Sequence, residues 1–130
     1  MHENNYIHND IKEDNMVIGH EDPNEIFLID YNISKNFMDS NDKHVEKKCL
    51  KVFTGNFMFA SLNSCRGNNK SRRDDIESAF YLILYLLNKN YLPWQDISND
   101  LSFVQKLCER LNVKYTQKLF EICPSKLLVS

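Results

Sequence analysis

The sequence has little glycine and little proline, three of each in 130 residues. It contains no linker-like Pro/Gly/Ser tract and no internal repeat, so the expectation is one domain with one modest core. It has no Cys-x-x-Cys pair. Cys49, Cys65, Cys108 and Cys123 are scattered, and no histidine stands at zinc-finger spacing from them, which argues against a structural zinc site. The start, Met1-His2-Glu3-Asn4-Asn5, lacks the apolar stretch of a signal peptide, so four reduced thiols in a cytoplasmic or nuclear protein are expected rather than two disulfides. Charge of one sign does not dominate: 16 Lys and Arg face 18 Asp and Glu, a net charge of −2. Neither nucleic acid nor a membrane is therefore expected as a partner. The local basic groups Lys47-Lys48 and Lys70 to Arg73 read as solvated surface. The longest apolar run, Ala79 to Leu87, falls well short of the ~20 residues that span a bilayer.

What is present is an ordinary globular composition, 42% hydrophobic and 26% charged, with asparagine unusually common, which we read as nucleotide bias of the source genome. Met16-Val17-Ile18 and Ile26-Phe27-Leu28-Ile29 are short strand-forming runs, separated by the turn-rich Gly19 to Glu25, and they predict a hairpin with a long loop. From Asn36 to Lys51 the chain is polar and aperiodic, which predicts a surface loop. Asp74 to Leu87 predicts a helix, with Asp74, Asp75 and Glu77 favouring its dipole. Ile76, Ala79, Phe80, Ile83, Leu84 and Leu87 lie on one face, while Tyr81, Leu82, Tyr85 and Leu86 fill the other. Such an apolar circumference predicts central burial. A second helix follows from Leu101, Val104, Leu107, Cys108 and Leu111, capped by Asn99 or Asp100. A third follows from Tyr115, Leu119, Phe120 and Ile122, ended by Pro124. The expected fold class is α+β, mostly α-helical, with a short β-hairpin near the N-terminus.

The pattern richest in chemistry is Tyr6-Ile7-His8-Asn9-Asp10-Ile11-Lys12-Glu13-Asp14-Asn15 followed by apolar Met16-Val17-Ile18. A carboxylate, a lysine two residues on and an amide five residues on can respectively accept a hydroxyl proton, neutralise phosphoryl charge and reach a Mg²⁺ ion. The segment resembles the catalytic loop of eukaryotic protein kinases, H-R-D-x-K-x-x-N, in its serine/threonine form. Phe27-Leu28-Ile29-Asp30-Tyr31-Asn32 resembles the strand and D-F-G motif. Thr54-Gly55-Asn56-Phe57-Met58-Phe59-Ala60-Ser61-Leu62-Asn63 resembles T-G-T-A-R-Y-A-S-I-N of casein kinase 1. Ser71-Arg72-Arg73-Asp74-Asp75-Ile76-Glu77-Ser78 and Leu92-Pro93-Trp94-Gln95 match that family's S-R-R-D-D-L-E-S and L-P-W-Q. The motifs fall in order over roughly residues 5 to 97. The casein kinase 1 family is favoured, with vaccinia-related kinases as runners-up because Asp30-Tyr31 is similar to their D-Y-G.

The resemblance implies a protein serine/threonine kinase. Asp10 would be the catalytic base, Lys12 and Asn15 its catalytic companions, and Asn15 and Asp30 the Mg²⁺ ligands. ATP and Mg²⁺ are the implied cofactors, and a Ser/Thr-bearing protein is the implied substrate. His8, Asp75, Arg72 and Arg73 are implied as structural support, with Asp75 accepting hydrogen bonds from the backbone near His8 and Asn9, and Arg72 and Arg73 pairing locally. Trp94 is read as a packing residue. The 130 residues would form a partial kinase domain, the C-terminal lobe alone, running from the catalytic loop to about the helix after L-P-W-Q. The N-terminal lobe, with its Gly-rich loop and lysine, is expected to be absent or supplied by a partner. Asn9, Asn32, Asn56 and Met58 depart from the family pattern at H-R-D, D-F-G, T-G-T and the anion-binding arginine. They support the alternative, a non-catalytic pseudokinase-like binding module or a partial gene product. Each apolar side chain left without a neighbour forgoes ~1.5–3 kcal/mol of burial, so the chain alone is expected to be of low stability and inactive.

Overall fold

A computed structural model describes residues 1–50 and 52–123. Lys51, which closes the expected polar loop, and Pro124, the expected end of the third helix, lie outside the described residues. Strand β1 (Tyr6–Ile7) pairs antiparallel with β4 (Lys35–Asn36), Tyr6 opposite Asn36. Strands β2 (Met16–Ile18) and β3 (Ile26–Leu28) form the expected hairpin, in the register Met16↔Leu28, Val17↔Phe27, Ile18↔Ile26. Gly19 closes it by donating to the Glu25 carbonyl at 2.9 Å. A Cβ at Gly19 would stand 2.6 Å from the Asp22 carbonyl oxygen, so the turn needs a residue without a side chain. The segment read as an irregular loop from Asn36 begins inside β4. Its later part is also tied down, by a bridge between Met38 and His44 and another between Cys49 and Asn68. Two-residue strands carry no readable alternation, which is why β1 and β4 escape a pattern search.

The helices are α1 (Leu62–Cys65), α2 (Arg72–Leu87), α3 (Phe103–Arg110) and α4 (Val113–Ile122). Helix α2 starts two residues before the expected Asp74. Ser71 is its cap, and the Asp74 carboxylate accepts from the Ser71 backbone N–H at 2.7 Å, a reciprocal cap that reads S-R-R-D. Left-handed Lys89 and Asn90 end it, where asparagine is among the better tolerated residues. Helix α3 is capped by Ser102, whose hydroxyl accepts from the Gln105 N–H, and not by Asn99 or Asp100. The sequence Ser-x-x-Gln supplies the reciprocal cap that those two cannot.

The core gathers Phe59, Tyr81, Leu82, Leu84, Leu92 and Trp94. Trp94 is fully buried, donates its indole N–H to the Met58 carbonyl at 2.6 Å and meets the Tyr81 ring edge-on at 5.0 Å. The Arg110 guanidinium lies 3.2 Å from the Trp94 ring centroid and 5.1 Å from that of Tyr81, a stacked cation, and burial lowers its pKa. The expected all-round burial of α2 is corrected. Tyr81, Leu82 and Leu84 are buried, whereas Ile76, Ile83 and Leu87 are 63%, 51% and 59% exposed. Among the described residues, the packing partners of α2 lie on one side only.

Candidate active site

The loop between β1 and β2 is held from below. Asp75, in the first turn of α2 and buried, accepts from the His8 backbone N–H at 2.7 Å and the Asn9 backbone N–H at 2.9 Å. It also accepts from the His2 ring Nε2 at 2.9 Å. A carboxylate that receives two backbone donors fixes the peptide planes on either side of His8, because hydrogen bonds are directional. Asn9 takes a left-handed φ of 73°, a conformation asparagine tolerates, and its side-chain amide donates to the Ile33 carbonyl at 2.8 Å. The His8 ring bridges the two segments. Its Nε2 meets the Ile29 carbonyl at 3.0 Å, and its Nδ1 accepts from the Asp10 N–H at 3.3 Å. A carbonyl can only accept, so these contacts assign the ring proton to Nε2.

The turn at Asn9 presents Asp10 to a pocket of its own companions. Lys12 Nζ lies 3.1 Å from the Asp10 carboxylate. The Asn15 side-chain amide donates to the Asp10 carbonyl at 2.8 Å and to its carboxylate at 3.1 Å. Asp10 and Lys12 keep 14% and 25% of their side chains exposed, so the pair is sheltered yet reachable. The bond to Asp10, and then its charge, raise the Lys12 pKa. Asn15 ends a short 3-10 turn, Glu13–Asn15, and is buried. Its backbone carbonyl accepts from the Ile29 N–H at 2.9 Å, which extends the β2–β3 ladder by one bond and delivers Asp30 beside it. Asp30 sits at φ 62°, exposed, with one carboxylate oxygen accepting from the Asn32 N–H at 3.3 Å. Asp30 also adds to the field that holds the proton on Lys12.

Six of the eight sequence-derived site residues, His8, Asp10, Lys12, Asn15, Asp30 and Asp75, thus fall in one neighbourhood. Arg72 and Arg73 do not join it. The Arg72 guanidinium lies over the Phe37 ring at 4.8 Å, and Arg73 is 3.9 Å from Asp74. Among the described residues, no three His, Cys, Asp or Glu side chains gather to hold a metal. One carboxylate and one amide oxygen, from Asp30 and Asn15, are nevertheless a donor set that suits Mg²⁺, which usually retains water and substrate phosphate as its other ligands. The residues present therefore fit the group the motif implies.

Sequence reasoning missed Lys70. Its ammonium donates to the Thr54 carbonyl at 2.6 Å and the Asn9 carbonyl at 3.2 Å, joining the loop before Asp10 to the Thr54–Gly55 turn. The only available signal was its place directly before the S-R-R-D cap, inside a basic run read as surface.

A family profile described as fungal protein kinase matches residues 1–87. A probable casein kinase I homologue of Encephalitozoon cuniculi is 32% identical over 123 residues, which is 95% of this chain and 37% of the relative. Another from the same organism is 37% identical over 125 residues, 95% of this chain and 40% of the relative. The chain belongs to the fungal protein kinase family. Within it, the chain is similar to these casein kinase I homologues and spans about two fifths of their length.

Proposed function

We propose that this chain carries the catalytic-loop portion, the C-terminal lobe, of a casein kinase 1-like protein serine/threonine kinase. The reaction is transfer of the γ-phosphoryl group of ATP to a Ser or Thr hydroxyl of a protein. The observation that carries the proposal is the Asp10 carboxylate held between the Lys12 ammonium and the Asn15 amide. Asp10 accepts the proton of the attacking hydroxyl, and Lys12 stands beside it to neutralise charge on the phosphoryl oxygens. Asn15 and Asp30 would hold Mg²⁺, which would supply charge neutralisation at the phosphates. The adenine base and the outer phosphates require residues beyond these, from a second lobe of the same polypeptide or from a partner.

The test is radiolabelled phosphotransfer from Mg-ATP to a mixed Ser/Thr peptide library, using the longest native product that carries these residues. Wild type is expected to label serine or threonine, and Asp10→Asn to lower kcat by about 10²–10⁴-fold. Label transferred equally well by Asp10→Asn would remove Asp10 from the role of base. A second reading, a non-catalytic binding module, draws on Asn9, Asn32, Asn56 and Met58, together with the exposed apolar face of α2. It is favoured if the native product transfers nothing, is not stabilised by Mg-ATP and folds only with a partner.

A further inference from the structure

Lys70 touches none of the side chains that surround Asp10, yet it is bonded to the peptide that carries it. The Asn9 carbonyl, to which Lys70 Nζ donates at 3.2 Å, belongs to the amide group joining Asn9 to Asp10. Any tilt of that plane swings the Asp10 carboxylate. Gly55 approaches the same carbonyl beside Lys70, where a Cβ would stand 2.5 Å from the Asn9 oxygen and 3.1 Å from Lys70 Nζ. Gly55 adopts φ +97°, so the close approach and the backbone conformation both call for glycine. The second bond of Lys70, 2.6 Å to the Thr54 carbonyl, closes the arrangement. One ammonium thus holds two carbonyls from segments 45 residues apart in sequence (Asn9 and Thr54). The Phe53 ring lies 5.8 Å from the same nitrogen.

The surroundings do not offer Lys70 an ordinary ion-pair partner. Among the described residues it makes no salt bridge. Burial lowers its pKa, opposed by the more distant carboxylates of Asp74, Asp75 and Asp10. Lys70 is half-buried, and a partly desolvated ammonium without a paired carboxylate is costly unless its hydrogen bonds offset the loss of water. Both of its hydrogen bonds go to the carbonyls that set the loop. Asn9, the residue it reaches, is uncharged, so the cation at this point arrives from 61 residues further along the chain.

We infer that Lys70 is a positioning residue for the Asp10 carboxylate, clamping the Asn9–Asp10 peptide onto the Thr54–Gly55 turn. Asp75 holds the His8 and Asn9 N–H groups and Lys70 the Asn9 carbonyl, so successive peptides of the loop are fixed, the first two at their donors and the next at its acceptor. The clamp also couples the catalytic loop to the segment leading into α1, whose Asn56 lines the same small hollow as Asp10 and Lys70.

The inference rests on the kinase reading of Asp10, and its test separates the two. The longest native product is prepared as wild type, Lys70→Met and Lys70→Arg. Lys70→Met is expected to lower kcat about 10- to 100-fold while KM for peptide and ATP stays within about twofold, because misplacement of a reacting group acts on the chemical step. Lys70→Arg, which retains charge and donors, is expected to recover most of that loss. Unchanged kcat in Lys70→Met, or a Lys70→Arg protein as impaired as Lys70→Met, would overturn the inference. If Lys70→Met does not fold by circular dichroism, Lys70→Gln takes its place under the same criteria. Amide exchange at Asp10 needs no activity, and it is expected to quicken at least about fivefold in Lys70→Met and not in Lys70→Arg. Exchange that does not respond counts against the clamp. Absent phosphotransfer in wild type, with exchange that does respond, removes the kinase reading and leaves the clamp standing.

Discussion

The two parts of helix α2 hold the molecule by different means. Its first turn works through buried carboxylates. Asp75 receives the His8 and Asn9 amides, and Asp74 receives the Ser71 amide and the Ser61 hydroxyl. Further along, the Tyr81 ring and Leu84 pack chiefly through apolar contact with Phe59, Trp94 and Tyr115, with the Arg110 guanidinium stacked on top. Directional bonds define where a loop lies, whereas close packing defines how much stability the helix adds. The site therefore depends on the first turn, and the core on the turns after it.

The largest expected effect is at the polar end. Asp75→Ala leaves the His8 and Asn9 N–H groups without their acceptor, at about 1–3 kcal/mol for each buried donor. For a chain with so many exposed apolar residues, loss of the cooperative transition in urea or heat is expected, together with loss of the phosphotransfer proposed for the longest native product. A full transition with intact activity would break the comparison.

A smaller effect is expected from pH at the packed end. Burial pushes the Cys65 thiol up from 9.0 to about 11, and it also raises the Tyr81 hydroxyl, which donates to Glu77 at 2.6 Å. The folded chain holds these protons more tightly than the unfolded chain. The Cys65 contribution is thus fully present below pH 9 and is lost as pH rises from 9 to about 11, whereas that of Tyr81 begins to be lost only above pH 10. For Cys65, a shift of this size corresponds to at most ~2–3 kcal/mol. Stability of wild type and Cys65→Ala should converge across that window, and a constant difference would place the thiol in a wetter setting. The same burial predicts slow reaction of Cys65 with a thiol reagent while exposed Cys49 and Cys108 react quickly.

The smallest effect belongs to a change within the packed cluster. Trp94→Phe keeps an aromatic ring beneath Arg110 but gives up the indole N–H bond to the Met58 carbonyl. A cost of about 1–2 kcal/mol in unfolding free energy is expected, with activity per folded molecule unchanged. Equal loss of activity from Trp94→Phe and Asp75→Ala would erase the distinction between positioning and packing.

Much of this arrangement was legible in the chain. The spacing of Asp10, Lys12 and Asn15 is local, so a short loop brings them together whatever surrounds it. The β2–β3 hairpin showed itself through two apolar runs and a turn, and α2 through its charge and apolar content. Other features were not local. Strands β1 and β4 are too short to leave a pattern. The cap of α3 lay at Ser102 because only that residue has a glutamine three positions on. Arg110 gave no sign that it would be buried, since an arginine near a helix end reads as solvated.

By itself, the sequence determined the kinase motifs, their order and the α+β class, because those depend on residue type and separation along the chain. Only the tertiary structure decided that α2 buries one face and exposes Ile76, Ile83 and Leu87, and that Lys70 reaches back 61 residues to the Asn9 carbonyl. Burial and long-range hydrogen bonds depend on which segments meet in space, and no period or spacing within a segment specifies that meeting.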